Sequence, residues 1–376
     1  MTTNLTICHI PGAGAKRTVP RDKCQHSPCY NTPVSYDNRT ANEGREVFTA
    51  PAICYLVLGG AGAGVCLVLA VLGLAVPRSE LAATSLNALR TPLRYDERLR
   101  VRTRAAIPDS LRKLISPGYA LSEVLLILGV MCLLADLGRP DRVERLLFTP
   151  QLAYLTVGAY ALVVCMMLVA ALGLVFARVV HRCPLGLLRG MQIASIPVAL
   201  AVMLYTGLLL STMPSVPLWN TWCVPILFVC SGVSCGVALL VALSRLTTVA
   251  THFPRAMRLL LVWGAVLMAV ELAVLAGYLA LVPKVWPPDT ATGVAAAQSL
   301  EALLTGEAGL LFQVGYVICG LVIPFVMACV LAYALPRVDV SLTPFMLLIA
   351  AFVVVGGFIM RWCVVMAGMQ PTALLL

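Results

Sequence analysis

Charge is what this sequence lacks most. Asp, Glu, Lys and Arg make up 12% of its 376 residues, while 60% are apolar. The charged share is about half that of a soluble globular chain, which excludes an ordinary soluble enzyme and a disordered segment. Histidine is scarce too: His9, His26, His181 and His252 all fall in polar stretches. No paired imidazoles are therefore placed to hold haem between apolar helices. The fourteen cysteines contain no C-x-x-C pair, so neither haem nor an iron–sulphur cluster is expected in this chain, and no metal site is assigned. Cys24 and Cys29 beside His26 are the nearest approach to a ligand set. The first 50 residues have no apolar core and no small-residue cleavage site, so no secretory signal is expected.

What the sequence has in quantity is long apolar runs. A membrane-crossing helix needs about 20 apolar residues at about 1.5 Å each. Eight runs qualify: 51–76, 115–137, 152–177, 191–212, 222–243, 259–282, 310–335 and 344–366. Backbone polar groups must be satisfied internally in lipid, so each run is read as a helix. The expected fold is an all-α integral membrane protein with eight transmembrane helices in two four-helix bundles. A polar tail (1–47) precedes the membrane domain (48–370), and a short tail (371–376) follows. Pro197 and Pro324 are expected to kink spans four and seven.

The net charge of +10 resembles the footprint of a nucleic-acid binder, but its distribution argues otherwise. The basic residues lie in the gaps between apolar runs, where they orient a membrane protein. Sixteen Lys and Arg fall on the side holding the Arg-rich first loop, against ten on the other, six of the ten in the tail. The first loop is therefore read as cytoplasmic, with both termini extracytoplasmic, in a bacterial inner membrane. The partner this implies is the lipid bilayer and not nucleic acid. Trp219, Trp222 and Trp286 are expected at the outer interface, where amphipathic rings settle.

The stretch Gly59-Gly60-Ala61-Gly62-Ala63-Gly64 misses the G-x-G-x-x-G spacing of a nucleotide loop and lies inside an apolar run. Gly60 and Gly64 are four apart, so they share one helix face and let another backbone approach.

Charges at membrane depth are costly, at least about 2.5–3.5 kcal/mol each by insertion scales. Four stand out: Glu123, Asp136, Glu271 and Arg361. The bland reading is structural, with Asp136 paired to Arg139 or Arg361. In the up-and-down topology, however, Asp136, Tyr205, Thr206, Ser211 and Arg361 all reach the outer leaflet. Tyr55, Tyr154, Tyr160 and Gln313 join them there. Glu123 lies about 20 Å deeper than Asp136, and Glu271 is near mid-span. The expected pattern is a polar cup near the outer face with two buried carboxylates leading inward. Such a cup suits a quinone, which needs donors to two carbonyl oxygens and a proton-exchanging group. From polarity alone, the substrate site of a proton-coupled secondary transporter using Glu123 and Glu271 looks the same. A structural anchor without quinone turnover is the third reading.

Several motifs together resemble the NrfD family, the membrane subunits of polysulphide-reductase-type enzymes. Tyr55-Leu56-Val57-Leu58-Gly59-Gly60-Ala61-Gly62-Ala63-Gly64 is similar to its opening Y-L-F-L-G-G-x-x-A-G. Ala135-Asp136-Leu137-Gly138-Arg139-Pro140-Asp141-Arg142 resembles D-L-G-R-P-x-R. Tyr205-Thr206-Gly207, Pro217-Leu218-Trp219-Asn220, Pro225-Ile226-Leu227-Phe228 and Ser231-Gly232 follow the T-G…P-x-W…P-L-L-F-x-x-S-G region. Gly356-Gly357 through Arg361 to Ala367-Gly368 resembles the final G-G-x-x-x-R-x-x-V-x-x-A-G. The start of span three departs from the family pattern, keeping only Gly158 and an aromatic.

The resemblance implies the membrane anchor of a respiratory oxidoreductase complex, binding menaquinone or another quinone between helices. It implies electron exchange with a four-cluster ferredoxin-like iron–sulphur subunit, which connects to a molybdopterin catalytic subunit or another redox module. The protein is then the quinone-reactive part of an enzyme and is not catalytic alone on the terminal substrate. Asp136, Arg361, Glu123 and Glu271 are the candidate catalytic residues. The expected quinone site comprises Tyr55, Asp136, Arg139, Tyr154, Tyr160, Tyr205, Thr206, Asn220 and Arg361.

Overall fold

The computed structural model describes residues 6–8, 17–19, 50–75, 109–137, 154–177, 179, 183–213, 216–247, 254–287, 289–306, 308–334 and 343–369. The protein divides into two compact units, Met1–Val47 and Phe48–Leu376. In the first, strands β1 (Thr6–Cys8) and β2 (Arg17–Val19) pair antiparallel, with Ile7 opposite Thr18. Nothing regular is expected in this polar stretch from its sequence, yet both triplets carry the β-branched residues that favour extended backbone.

The second unit is helical. Its elements are α1 (Ala50–Ala75), α2 (Asp109–Leu137), α3 (Tyr154–Phe176), α4 (Leu185–Ser211), α5 (Cys223–Leu246), α6 (Pro254–Val285) and α7 (Ala291–Leu304). A π-helix, π1 (Leu311–Val322), then runs into α8 (Ile323–Ala334), and α9 (Thr343–Gly368) closes the unit. Among the described residues, eight helical segments are long and apolar enough to cross a membrane: α1 to α6, π1 with α8, and α9. These are the eight spans expected from the apolar runs, and the protein is a multi-pass membrane protein.

The helix α7 is not among the sequence expectations, because 14 residues with a moderate apolar content give too weak a signal. It starts at Thr290, whose side-chain oxygen accepts from the Gly293 N–H and satisfies one of the free donors of the first turn. The expected kink at Pro324 takes a specific form. Proline cannot donate to the carbonyl four residues back, and the helix before it is wound to the wider π pattern. Ile323 N–H accordingly donates to Ile318 O, five residues earlier.

Glycines set the helix neighbours. α1 packs on α2 and α4, and α3 on the same pair; α5 packs on α6 and α9, π1 on α9, and α8 on α6. α1 and α4 also pack on α5. A Cβ on Gly64 would run into the Gly232 carbonyl, and one on Gly236 into the backbone of Gly64. The α1–α5 crossing is therefore backbone on backbone, as the Gly60/Gly64 spacing predicts. The Gly320 and Gly356 Cα atoms likewise leave no room for a methyl between π1 and α9. Without a hydrophobic force between helices in lipid, such close approach supplies the packing energy. α1 and α5 are accordingly the most enclosed spans, 72% and 61% buried over their apolar windows against 28% for α2.

Alternate spans run in opposite directions. Gly59 and Gly62 of α1 meet Gly129 and Leu126 of α2, so the contacts step up one helix and down the other. The spans α1, α3, α5 and π1 thus begin at the end where α2, α4, α6 and α9 finish. This is called the upper end below.

Candidate functional site

Two groups of buried polar side chains stand apart, one in the first four spans and one in the last four.

In the last four spans the centre is Glu271 of α6, 2% exposed. Tyr316 Oη donates to its Oε1 (3.0 Å) and Ser234 Oγ to its Oε2 (3.1 Å). Ser231 lies three residues before Ser234 on the same face of α5, and it accepts from Arg361 Nη1 (3.0 Å). The Arg361 guanidinium, 1% exposed, also donates to Gly357 O (2.9 Å) and Phe228 O (3.3 Å) and lies 5.1 Å from the centre of the Phe228 ring. Its Nη2 comes within 3.0 Å of where a Cβ on Gly60 would sit. Gly60 thus makes room for a charge from α9 against α1. The arginine hydrogen-bonds α5 and its own helix, a different arrangement from the ion pair with Asp136 that the sequence allows.

In the first four spans Tyr55 (α1) and Tyr205 (α4), both buried, face each other with hydroxyls close enough to interact. No hydrogen bond of standard geometry reaches Tyr55 Oη, which is sealed from water. Gly158 of α3 lies flat against the Tyr205 ring, so this glycine of span three holds the tyrosine in place. Lower down, Tyr119 Oη, Glu123 Oε2 and Gln192 Oε1 are also buried without a partner. Ser122 beside them donates to Gly62 O (2.7 Å), and Arg189 Nη1 donates to Gly73 O (2.8 Å) at the lower end of α1.

The other expected site residues fall into three classes. Thr206 is buried, but its hydroxyl donates to Met203 O (2.6 Å) of its own helix. Asp136, Tyr160 and Asn220 are exposed at or near the upper ends of α2, α3 and α5. Tyr154 opens α3, and Arg139 lies outside the described residues, as do Cys24, His26 and Cys29. Gln313 is exposed on π1, and its side chain donates to Leu304 O (2.7 Å), tying π1 to α7.

Trp219 corrects an expectation. It is 1% exposed and not at the lipid interface, whereas Trp222 is 78% exposed. Trp219 Nε1–H donates to Val364 O (2.8 Å), and its indole lies where Gly368 leaves space. Tyr278 Oη adds a bond to Leu218 O (2.9 Å). The loop between α4 and α5 is therefore pinned to α6 and α9, and the P-x-W and A-G motifs are two sides of one contact. Ser231, Ser234 and Tyr316 were also missed as site residues; the spacing of the two serines was the available signal.

A profile of the polysulphide reductase NrfD family matches residues 38–373, nearly the whole helical unit. The protein belongs to the NrfD family. It is also 32% identical over 139 residues to a polysulfide reductase polypeptide of Wolinella succinogenes. That match spans 33% of this sequence and 44% of the relative. Among the described residues of this NrfD protein, no group of three or more His, Cys, Asp or Glu side chains is placed to hold a metal ion.

Proposed function

We propose that this protein is the membrane anchor of a respiratory oxidoreductase complex and exchanges electrons between menaquinone or another quinone and an iron–sulphur subunit docked at the upper end. Family membership supports the anchor role. The observation that carries the quinone reading is the Tyr55–Tyr205 pair, two buried phenols side by side, with no hydrogen bond of standard geometry at Tyr55 Oη. A phenol sealed from water and unpaired costs stability. It loses that cost when a carbonyl oxygen of a guest accepts its hydrogen bond.

Quinol oxidation removes two electrons and two protons. The electrons pass to the iron–sulphur partner, and the protons need acceptors. The α1–α2 register puts Asp136 about one turn above Tyr55 and Glu123 about 15 Å below it. The exposed Asp136 is suited to exchange with water at the mouth, and Glu123 to a proton held deeper. Arg361, against Gly60 about one and a half turns below Tyr55, sets positive charge below the tyrosine pair.

The test is quinol-analogue oxidation by the purified complex carrying Tyr55→Phe, Asp136→Asn or Arg361→Lys. A fall of about tenfold or more in kcat/KM for Tyr55→Phe is expected, the size of one lost hydrogen bond to a reacting group. Unchanged turnover in all three overturns the assignment.

A further inference from the structure

We propose that the cavity between α6 and α7 is a phospholipid site. It has a volume of about 400 Å³ and is walled by Val282, Trp286, Ala296, Ala297, Leu300 and Leu304, with Glu301 at its edge. That volume lies within the range of small-molecule pockets. It exists because α7 turns small residues toward α6: Gly293, Ala296 and Ala297 all line it.

Three observations select the occupant. The walls are carbon almost throughout, and a buried water needs two to four polar partners, so water does not fill the space. The cavity sits at the upper end of a membrane span, beside apolar side chains open to the surroundings. Val285 ends α6, and Leu310 and Leu311 begin the next span, all three exposed. An acyl chain from the surrounding bilayer would have only a short way to travel to enter it. Finally, exposed charge of both signs accompanies the rim: Glu301 is itself a lining residue, Lys284 follows the lining Pro283, and Asp289 falls between the lining Trp286 and Gly293 in sequence. A phosphate and an ammonium headgroup match that rim, whereas an uncharged quinone ring does not. The acyl chain lies in the cavity and replaces the side-chain volume that α7 omits, so lipid forms part of the α6–α7 contact.

The experiment reconstitutes the full-length protein into vesicles of phosphatidylethanolamine and phosphatidylglycerol with brominated acyl chains. Tryptophan emission is compared with that of Trp286→Phe to isolate the Trp286 component. Bromine quenches only on contact, so strong quenching of that component is expected. The double variant Ala296→Leu with Ala297→Leu fills the cavity, and it should relieve the quenching. It should also lower the phospholipid retained after detergent washing by at least about tenfold, the effect of excluding two methylenes. Lys284→Gln keeps the cavity and should reduce retention only of the anionic lipid. Wild-type Trp286 emission untouched by brominated chains overturns the proposal without any variant. Quenching or retention equal in the filled double variant also overturns it, as does a stoichiometric quinone recovered in place of phospholipid.

Discussion

The first four spans and the last four treat their buried carboxylates and phenols differently. In the last four, both oxygens of Glu271 are occupied, and the hydroxyls of Tyr278 and Tyr316 and both terminal nitrogens of Arg361 have partners. Among the described residues of that half, the Nε of Arg361, the Thr221 hydroxyl and the Trp286 Nε1–H are left over, but no carboxylate or phenol is. In the first four, no hydrogen bond of standard geometry reaches a buried polar atom of Tyr55, Tyr119, Glu123 and Gln192. A satisfied network fixes helices to one another, whereas an unsatisfied one keeps its hydrogen-bonding capacity for something else. The two halves have similar spans and similar hydropathy, so the difference is one of side-chain placement. The network around Arg361 ties helices together, and the group around Tyr55 is the one that the proposed quinone would meet.

The largest effect should come from the seam that joins the halves. Gly64→Leu puts a branched side chain where α5 brings its backbone carbonyl, and no rotamer avoids that clash. The two central spans must separate, and folded protein in the membrane should fall below detection by size-exclusion fluorescence of a tagged protein. A Gly64→Leu variant of normal yield and melting temperature would show that the crossing is not the seam. Arg361→Ala comes next. It leaves Ser231 and the Phe228 carbonyl without their donor and opens a cavity beside Gly60, together costing about 3 kcal/mol. Thermal melts in detergent should show this in the absence of any quinone, because the role is structural first.

Much of this organisation could be read from the sequence. Hydropathy gave all eight spans because lipid permits no other use of a 20-residue apolar run. The Gly60/Gly64 spacing foretold a close crossing, although not which helix would make it. Composition does not distinguish π from α winding, since the residues of 311–322 are ordinary span residues; only Pro324 marked the place. Nor could hydropathy tell Trp219 from Trp222, three residues apart in one loop, one buried and one in the open. The missing fact was the partner, Gly368, nearly 150 residues away. Of the candidate site, relative depth was legible: Tyr55 and Tyr205 were expected near one level, and they face each other. Which polar atoms would be satisfied was not legible, because that depends on angles between helices and not on their order.

The smallest expected change in stability is the one that discriminates best. Tyr316→Phe and Tyr55→Phe each delete one buried hydroxyl from an otherwise unaltered ring. The first removes the donor to Glu271 Oε1, so a buried carboxylate oxygen is stranded. Hydrogen bonds between membrane helices are worth less than in an apolar solvent, and about 1 kcal/mol is the expected loss. The second removes an oxygen that no hydrogen bond of standard geometry reaches, so stability should stay within about 0.5 kcal/mol or rise slightly. With a quinone analogue present the order should reverse. The analogue should raise the melting temperature of wild type and Tyr316→Phe, but much less that of Tyr55→Phe, since only ligand that the native state binds stabilises it. If both variants lose the same stability without ligand, Tyr55 is part of the scaffold and the contrast between the halves fails.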